Sequence, residues 1–189
     1  MITEIEKRNL ISFAMLLLAK DKMYLNLSVD KRLEVVFDVI SLGYEIADWV
    51  LSEFGDSDPR KIALKLGANI VGIDSGNFKR SEYRFKEKEI IIYRDALDRL
   101  CSEIVIPELA PKMLGLLVSL ELFHHLEKVK TGFIYKRYKF KRKFNFGFYI
   151  KSLSDIAAIA FAVKLLDIKF SPQVFNYLIY IMFMSDFKN

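Results

Sequence analysis

The stretch EYRFKEKEIIIYRD, residues 82–95, decides the fold because the flanking sequence has helical periodicity. Apolar and polar residues alternate up to Phe85, and a run of β-branched isoleucines follows the charged residues 86–88. Alternation, a short polar turn and β-branched side chains are typical of two paired strands. The preceding residues 68–76, ANIVGIDSG, add a third short apolar run that ends in a turn. We therefore predict a small β-sheet that follows a helical half.

Helices are predicted on both sides of this sheet. Residues 2–22 carry a wide apolar face, and residues 28–54 form an amphipathic segment that Ser28 can cap. Asp58, Pro59 and Gly67 mark a short third helix. The apolar stripe predicted for the second helix consists of Leu33, Val36, Phe37, Ile40, Tyr44, Ala47 and Val50. Further helices are predicted at residues 94–104, 111–128, 154–166 and 171–184, so the predicted fold class is α+β, mostly α.

Composition and length limit the classes of protein to which the chain can belong. A chain of 189 residues, 52% of them hydrophobic, can bury a core, and we expect a single domain over residues 1–189. Within it, residues 1–30 are expected to form an N-terminal helical extension. The apolar runs at residues 10–19 and 177–184 are shorter than the roughly 20 residues that span a bilayer, so no membrane span is expected. The single cysteine, Cys101, gives no argument for an oxidising compartment, and we expect a cytoplasmic protein.

The two histidines of the chain are adjacent, in SLELFHHLEKV at residues 119–129. Zinc hydrolases often carry HExxH on a helix, which places two imidazoles on one face and a general base beside them. Here the corresponding window is LELFH, so Leu120 occupies the first ligand position, followed by Glu121. Taken alone, these residues allow three interpretations. The histidines lie in a core helix with their polar atoms hydrogen-bonded, or they belong to a degenerate metal site. In the third interpretation, Glu121 and His125, which are four residues apart, chelate one metal ion.

The order of segments around this motif resembles that of the ImmA/IrrE-type family of zincin-like metallopeptidases. The resemblance covers about residues 35–178: DPRKIALKLGANIVGI leads into a strand that ends in EIIIYRDAL, and LELFHHLE and SLSDIAAIAFAVKLL follow. Family members carry HELFHHLE-like sequences in the helix and, later, an acidic residue followed by small and apolar residues. The resemblance implies a zincin-like core at residues 31–180, with a small β-sheet and a central motif-bearing helix.

The resemblance also implies a role for each matching residue. Glu121 stands at the general-base position, His124 at the second zinc-ligand position and Asp155 at the downstream acidic ligand position, whereas Leu120 replaces the first histidine ligand. Catalytic zinc sites normally supply three protein ligands and a water, so we expect catalytic zinc to bind only where a group such as His125 completes the set. We expect a catalytically impaired relative, a pseudoenzyme that binds or regulates a protein or peptide partner. The alternative is a metal-dependent peptidase with an altered ligand set.

A basic segment follows the motif, KVKTGFIYKRYKFKRK at residues 128–143, with eight basic residues, no acidic residue and interleaved aromatic rings. The residues from 128 onward include 12 Lys and Arg and 3 Asp and Glu, so the excess of positive charge behind the net charge of +5 lies in this part of the chain. Such a segment suits a nucleic-acid surface, an acidic protein or membrane surface, or a β-hairpin with one aromatic face packed inward. The candidate nucleic-acid-binding residues are Lys136, Arg137, Lys139, Lys141, Arg142 and Lys143.

Overall fold

The structure is a computed structural model that describes residues 4–74, 79–95, 97–98, 109–141 and 147–169. Its first half contains the helices α1 (Glu4–Leu18), α2 (Lys22–Leu25), α3 (Val29–Phe54) and α4 (Pro59–Lys65). The strands β1 (Asn69–Ile73), β2 (Ser81–Arg84) and β3 (Glu89–Tyr93) come next. They are followed by α5 (Leu109–Leu126), a π-helical turn (Glu127–Thr131), a 3-10 turn (Ile134–Arg137), β4 (Phe140–Lys141), β5 (Gly147–Phe148) and α6 (Ser152–Leu165). The α+β, mostly α fold class is confirmed.

The predicted small sheet is present, with the strand order β1-β3-β2. The central strand β3 pairs in parallel with β1 and antiparallel with β2, where Tyr83 lies opposite Ile90. The isoleucine run of β3 is buried, which explains why it is apolar at consecutive positions. Residues 85–88 connect β2 to β3, and Lys88 takes a positive φ of 58° at the end of this turn.

Local sequence signals set the ends of α3 and α4. The Ser28 side chain accepts a hydrogen bond from the backbone N–H of Lys31, and Gly55 closes α3 in the left-handed conformation at φ 61°. Asp58 caps α4, and Pro59 lies in its first turn, as predicted. The helix predicted at residues 171–184 lies outside the described residues, and so does most of the helix predicted at residues 94–104.

Helices α3 and α6 meet backbone to backbone at Gly43. A Cβ atom added there would lie 2.4 Å from the carbonyl oxygen of Ala157 and 2.8 Å from the Cβ of Ala160. Most residues of α6 are small or apolar and buried, so α6 is the central helix among the packed helices. This close approach fixes how α3 and α6 are oriented against each other. Helix α6 also carries part of a pocket.

The buried face of α3 is centred on Gly43 and differs from the predicted apolar stripe. Four stripe residues are buried: Val36, Ile40, Ala47 and Val50. Phe37, however, is 50% exposed, and its place in the predicted stripe was wrong. The physical reason is that the contact with α6 turns Val35 and Val39 toward the core, which moves Phe37 to the outer face.

The N-terminal helix α1 shares the main hydrophobic core. Leu10, Ala14 and Leu18 are buried in the same cluster as residues of α3, α5 and α6. The boundary expected after residue 30 falls within the first turn of α3, so the helix that begins the expected core continues across it. Of the helices in the described ranges, none combines the length and the apolar character that crossing a bilayer requires.

Candidate functional site

A pocket of about 490 Å³ lies where β2, α5, the turns after α5 and the start of α6 come together. Helix α5 supplies Glu121 and His124, and α6 supplies Asp155. These are the three residues for which the sequence predicts a joint role, and the structure brings them together at one pocket. An aromatic wall that the sequence did not predict is formed by Tyr83 on β2, Phe85 in the turn after β2, and Phe133 and Tyr135 after α5.

The two ring nitrogens of His124 have different neighbours. Nδ1 lies 2.9 Å from Oε2 of Glu127, and Nε2 lies 3.6 Å from Oδ1 of Asp155. With a carboxylate beside each nitrogen, the charged ring, which carries a hydrogen on both nitrogens, is favoured, and its Nδ1–H donates to Glu127. The ring is thereby oriented by Glu127, and its Nε2 is turned to the side of Asp155.

Glu127 is the buried anchor of this site, with only 2% of its surface exposed. Its Oε1 accepts hydrogen bonds from the Ser154 hydroxyl at 2.5 Å and from the backbone N–H of Ile134 at 2.7 Å. The Ser154 oxygen in turn accepts the backbone N–H of Tyr135 at 3.3 Å. One carboxylate therefore ties together the end of α5, the 3-10 turn and the start of α6.

Sequence reasoning missed Glu127 and Ser154. A signal for Glu127 was present, since it follows His124 by three residues, a spacing that brings two side chains to one face of a helix. Ser154 lies 27 residues from Glu127 in the chain and carried no comparable signal.

Glu121 is held by the sheet. Its Oε1 accepts a hydrogen bond from the hydroxyl of Ser81 on β2, at 2.7 Å. Burial raises the pKa of the Glu121 carboxyl, the charge of His124 opposes that shift, and the charge of Asp155 adds to it. A carboxyl group and an imidazole in such a pocket can exchange protons with a bound molecule or hold it by charged hydrogen bonds.

His125, the other histidine, faces away from this pocket. Its Nε2 donates to the carbonyl oxygen of Leu66 at 3.0 Å, and its Nδ1 accepts from the hydroxyl of Tyr83 at 2.8 Å. The side chain is fully buried, and burial lowers its pKa. Both nitrogens are occupied, so the structure does not bring His125 to the predicted metal position or pair it with Glu121.

The side chains at the pocket do not fit a catalytic zinc site. Leu120, at the first ligand position, is partly buried and packs against the hydrophobic core. His124 and Asp155 offer two side chains that can ligate zinc, and Glu121 is hydrogen-bonded to Ser81. Within the described residues, no group of three or more His, Cys, Asp or Glu side chains could hold a metal ion. Catalytic zinc normally requires three protein ligands, so the set offered by His124 and Asp155 is one ligand short.

In the described part of the basic segment, residues 128–141, less β-structure forms than the aromatic alternation suggested. Among the described residues, β4 pairs with β5, where Phe140 lies opposite Phe148, and residues 134–137 form a 3-10 turn. The chain turns there because the backbone N–H of Ile134 donates to buried Glu127.

Three of the candidate nucleic-acid-binding side chains, Lys136, Arg137 and Lys139, are exposed. Lys141 lies in β4, and Arg142 and Lys143 lie outside the described residues. Arg137 donates to the carbonyl oxygen of Thr131 at 3.0 Å. The structure therefore leaves at least part of the basic segment open to an anionic partner.

Comparison of the chain with protein-family models, with curated proteins and with solved structures finds no match. The link to the ImmA/IrrE-type family therefore stays a prediction that depends on the motif residues.

The two histidines are expected to titrate on opposite sides of their common ordinary pKa of 6.5. Burial alone would lower the pKa of His124, but the hydrogen bond to Glu127 and the charges of Glu121 and Asp155 outweigh burial and raise it. Burial lowers the pKa of His125. In an NMR titration of the two imidazole rings, one ring should protonate above pH 6.5 and the other below it.

The Glu127→Gln variant identifies the ring with the raised pKa, because it removes the charge beside Nδ1 of His124. We expect it to lower the upper midpoint and to leave the lower midpoint in place. The matched control is Tyr83→Phe, which removes the hydroxyl beside His125. Two rings that titrate together near pH 6.5 in the unmodified protein would contradict the described network.

Proposed function

We propose that this protein is a zincin-like relative of the ImmA/IrrE-type metallopeptidases in which metal-dependent hydrolysis is impaired, and that it acts as a binding or regulatory protein. The observation that carries the proposal is the composition of the pocket. Glu121, His124 and Asp155 line it together, whereas Leu120, at the first ligand position, packs against the core. The pocket thus has the polar groups of a binding site without a complete set of zinc ligands.

The hydrogen bonds behind the pocket support a binding role. Buried polar groups cost about 1–3 kcal/mol each when they are left without partners, and here Glu127 and Ser154 satisfy one another while orienting His124. Ser81 likewise fixes Glu121 from the sheet. Side chains that are already held in place lose little freedom on binding, which favours recognition of a partner.

The Leu120→His variant tests the zincin relationship. Residue 120 lies four positions before His124, so the new imidazole would share a helix face with it and complete a set with Asp155. We expect zinc affinity at least about tenfold above that of the unmodified protein, measured by competition with a zinc indicator. Adding His124→Ala to this variant should remove the gain.

A matched control is Leu64→His, which places a histidine on an exposed leucine of α4. It should leave zinc affinity unchanged. If Leu120→His gained no more zinc affinity than this control, the zincin relationship would be rejected. If the unmodified protein already bound one zinc tightly and lost it in His124→Ala, the proposal of impaired hydrolysis would be replaced by a peptidase with an altered ligand set.

A further inference from the structure

The pocket has a continuous aromatic wall. The ring centroids of Tyr83 and Phe85 are 4.9 Å apart, those of Phe85 and Phe133 are 5.7 Å apart, and those of Phe133 and Tyr135 are 5.6 Å apart. All four residues line the pocket, and Phe85 is 41% exposed. Aromatic faces attract cations, and Phe133 already has the ammonium of Lys136 at 4.9 Å from its centroid.

Carboxylates accompany this wall, and they outnumber the cations that neutralise them. Asp155 is 56% exposed and pairs with His124, whose other nitrogen pairs with Glu127. Glu121 bonds to the uncharged hydroxyl of Ser81. The His124 imidazole therefore pairs with two carboxylates, those of Asp155 and Glu127.

Among the residues that line the pocket, four are acidic, Glu82, Glu121, Glu127 and Asp155, and two are basic, His124 and Lys151. Glu82 also lines the pocket, but it is paired with Lys79 and Arg84. Lys151 lines the pocket from the start of α6, and Arg80 lies within electrostatic range of Glu121 without being a lining residue. Glu121 is hydrogen-bonded to the uncharged Ser81, and Asp155 is largely exposed, so each has a carboxylate oxygen that can accept hydrogen bonds from an incoming cation.

We infer that this pocket captures one arginine side chain of a basic peptide segment, with Asp155 and Glu121 pairing its guanidinium and the aromatic wall covering its planar face. The inference rests on the proposed function, because it names the ligand of the same pocket. A guanidinium suits both features, since it bonds carboxylates through two parallel N–H groups and stacks on aromatic rings. A volume of about 490 Å³ fits one long side chain and its immediate backbone.

An anionic or neutral group suits the pocket less well. An anion would lie against Asp155 and Glu121 and be repelled by both charges, and a neutral group would cover these carboxylates without pairing them. The aromatic wall offers such groups only apolar contact, whereas it attracts a cation as well.

The test compares three small probes that differ in charge. N-acetyl-arginine amide is titrated into the protein while the His124 ring is followed by NMR, beside the citrulline amide, a neutral analogue of similar shape, and N-acetyl-glutamate amide. We expect saturable shifts with the arginine probe and at least about tenfold weaker binding of the citrulline probe, because a charged hydrogen bond is lost. The glutamate probe should not bind measurably.

Two variants locate the binding. Asp155→Asn keeps the size of the side chain and should weaken binding of the arginine probe about tenfold, and Phe133→Leu should weaken it about threefold or more. The matched controls are Glu34→Gln, an exposed carboxylate on α3 paired with Lys31, and Phe37→Leu, a half-exposed ring on the same helix. Neither control should change the affinity for the arginine probe.

The arginine inference fails if the arginine probe does not bind saturably, or if Asp155→Asn and Glu34→Gln behave alike. Equal or tighter binding of the citrulline or glutamate probe at the His124 ring would also overturn it, while leaving the pocket as a binding site. The zinc experiment with Leu120→His does not depend on these probes, so failure of this inference can be told apart from failure of the proposed function.

Discussion

Glu127→Ala is expected to lower the free energy of unfolding by about 3–5 kcal/mol, because it breaks a buried charged pair and leaves several buried donors without an acceptor. The donors concerned are the backbone N–H of Ile134, the hydroxyl of Ser154 and the Nδ1–H of His124. They belong to different segments, so the loss is expected to loosen the turns after α5 as well as the start of α6.

Denaturant unfolding followed by circular dichroism measures this change. Glu127→Gln is the informative comparison, since its amide oxygen can still accept from Ile134 and Ser154, and it should cost about 1–2 kcal/mol. Glu87→Ala, an exposed glutamate in the turn between β2 and β3, should stay within about 0.5 kcal/mol of the unmodified protein. If Glu127→Ala were as mild as Glu87→Ala, the buried network would not exist in solution.

The stability difference between the unmodified protein and Glu127→Gln should also depend on pH. The folded-state pKa of His124 is raised above its ordinary value of 6.5, so the stabilisation from its pair with Glu127 is fully present below pH 6.5. That stabilisation is lost as the pH rises through the folded pKa of His124. The difference should therefore be larger near pH 6 than near pH 9, and a constant difference would contradict the pairing.

Local signals in the sequence were sufficient to predict the small sheet and the beginnings of α3 and α4. The isoleucine run of β3 and the caps at Ser28 and Asp58 act through neighbours in the chain, and the structure has them where they were predicted. Phe37 was misplaced because its exposure depends on how α3 rotates against α6, which amphipathic periodicity alone does not fix.

The candidate site likewise contains some residues that local sequence signals predicted and others that only the tertiary structure reveals. The motif spacing led to Glu121, His124 and Asp155, which the structure brings to one pocket. Adjacent residues on a helix point about 100° apart, so one histidine faces that pocket while His125 faces Leu66 and Tyr83. The contacts of Ser81 and Ser154 span 40 and 27 residues of chain, and only the tertiary arrangement reveals them.

Gly43→Val is expected to cost about 3 kcal/mol or more, and Gly43→Ala about 1–2 kcal/mol. Replacing glycine by alanine within a helix normally gains up to about 1 kcal/mol, but here the new Cβ would lie 2.4 Å from a backbone oxygen of α6. Backbone cannot move aside as a flexible side chain can, so the two helices must separate. Overpacking therefore outweighs the gain in helix propensity.

Gly115→Ala on α5 is the matched control, because the nearest atoms to its new Cβ are side-chain carbons of Leu166 at 4.0 Å. It should leave the protein equally stable or more stable by up to about 1 kcal/mol in denaturant unfolding. Equal effects of alanine at both glycines would mean that α3 and α6 are not in close contact.

The same pair of variants connects this packing to the pocket. Ala157, whose carbonyl oxygen meets the glycine, lies two residues after Asp155 on α6. Pushing α6 away from α3 should therefore change the distance between Asp155 and the His124 ring. We expect Gly43→Ala to shift the His124 ring resonances and Gly115→Ala to leave them in place, because the first substitution pushes on the backbone of α6, whereas the Cβ at residue 115 meets Leu166 at an ordinary contact distance of 4.0 Å.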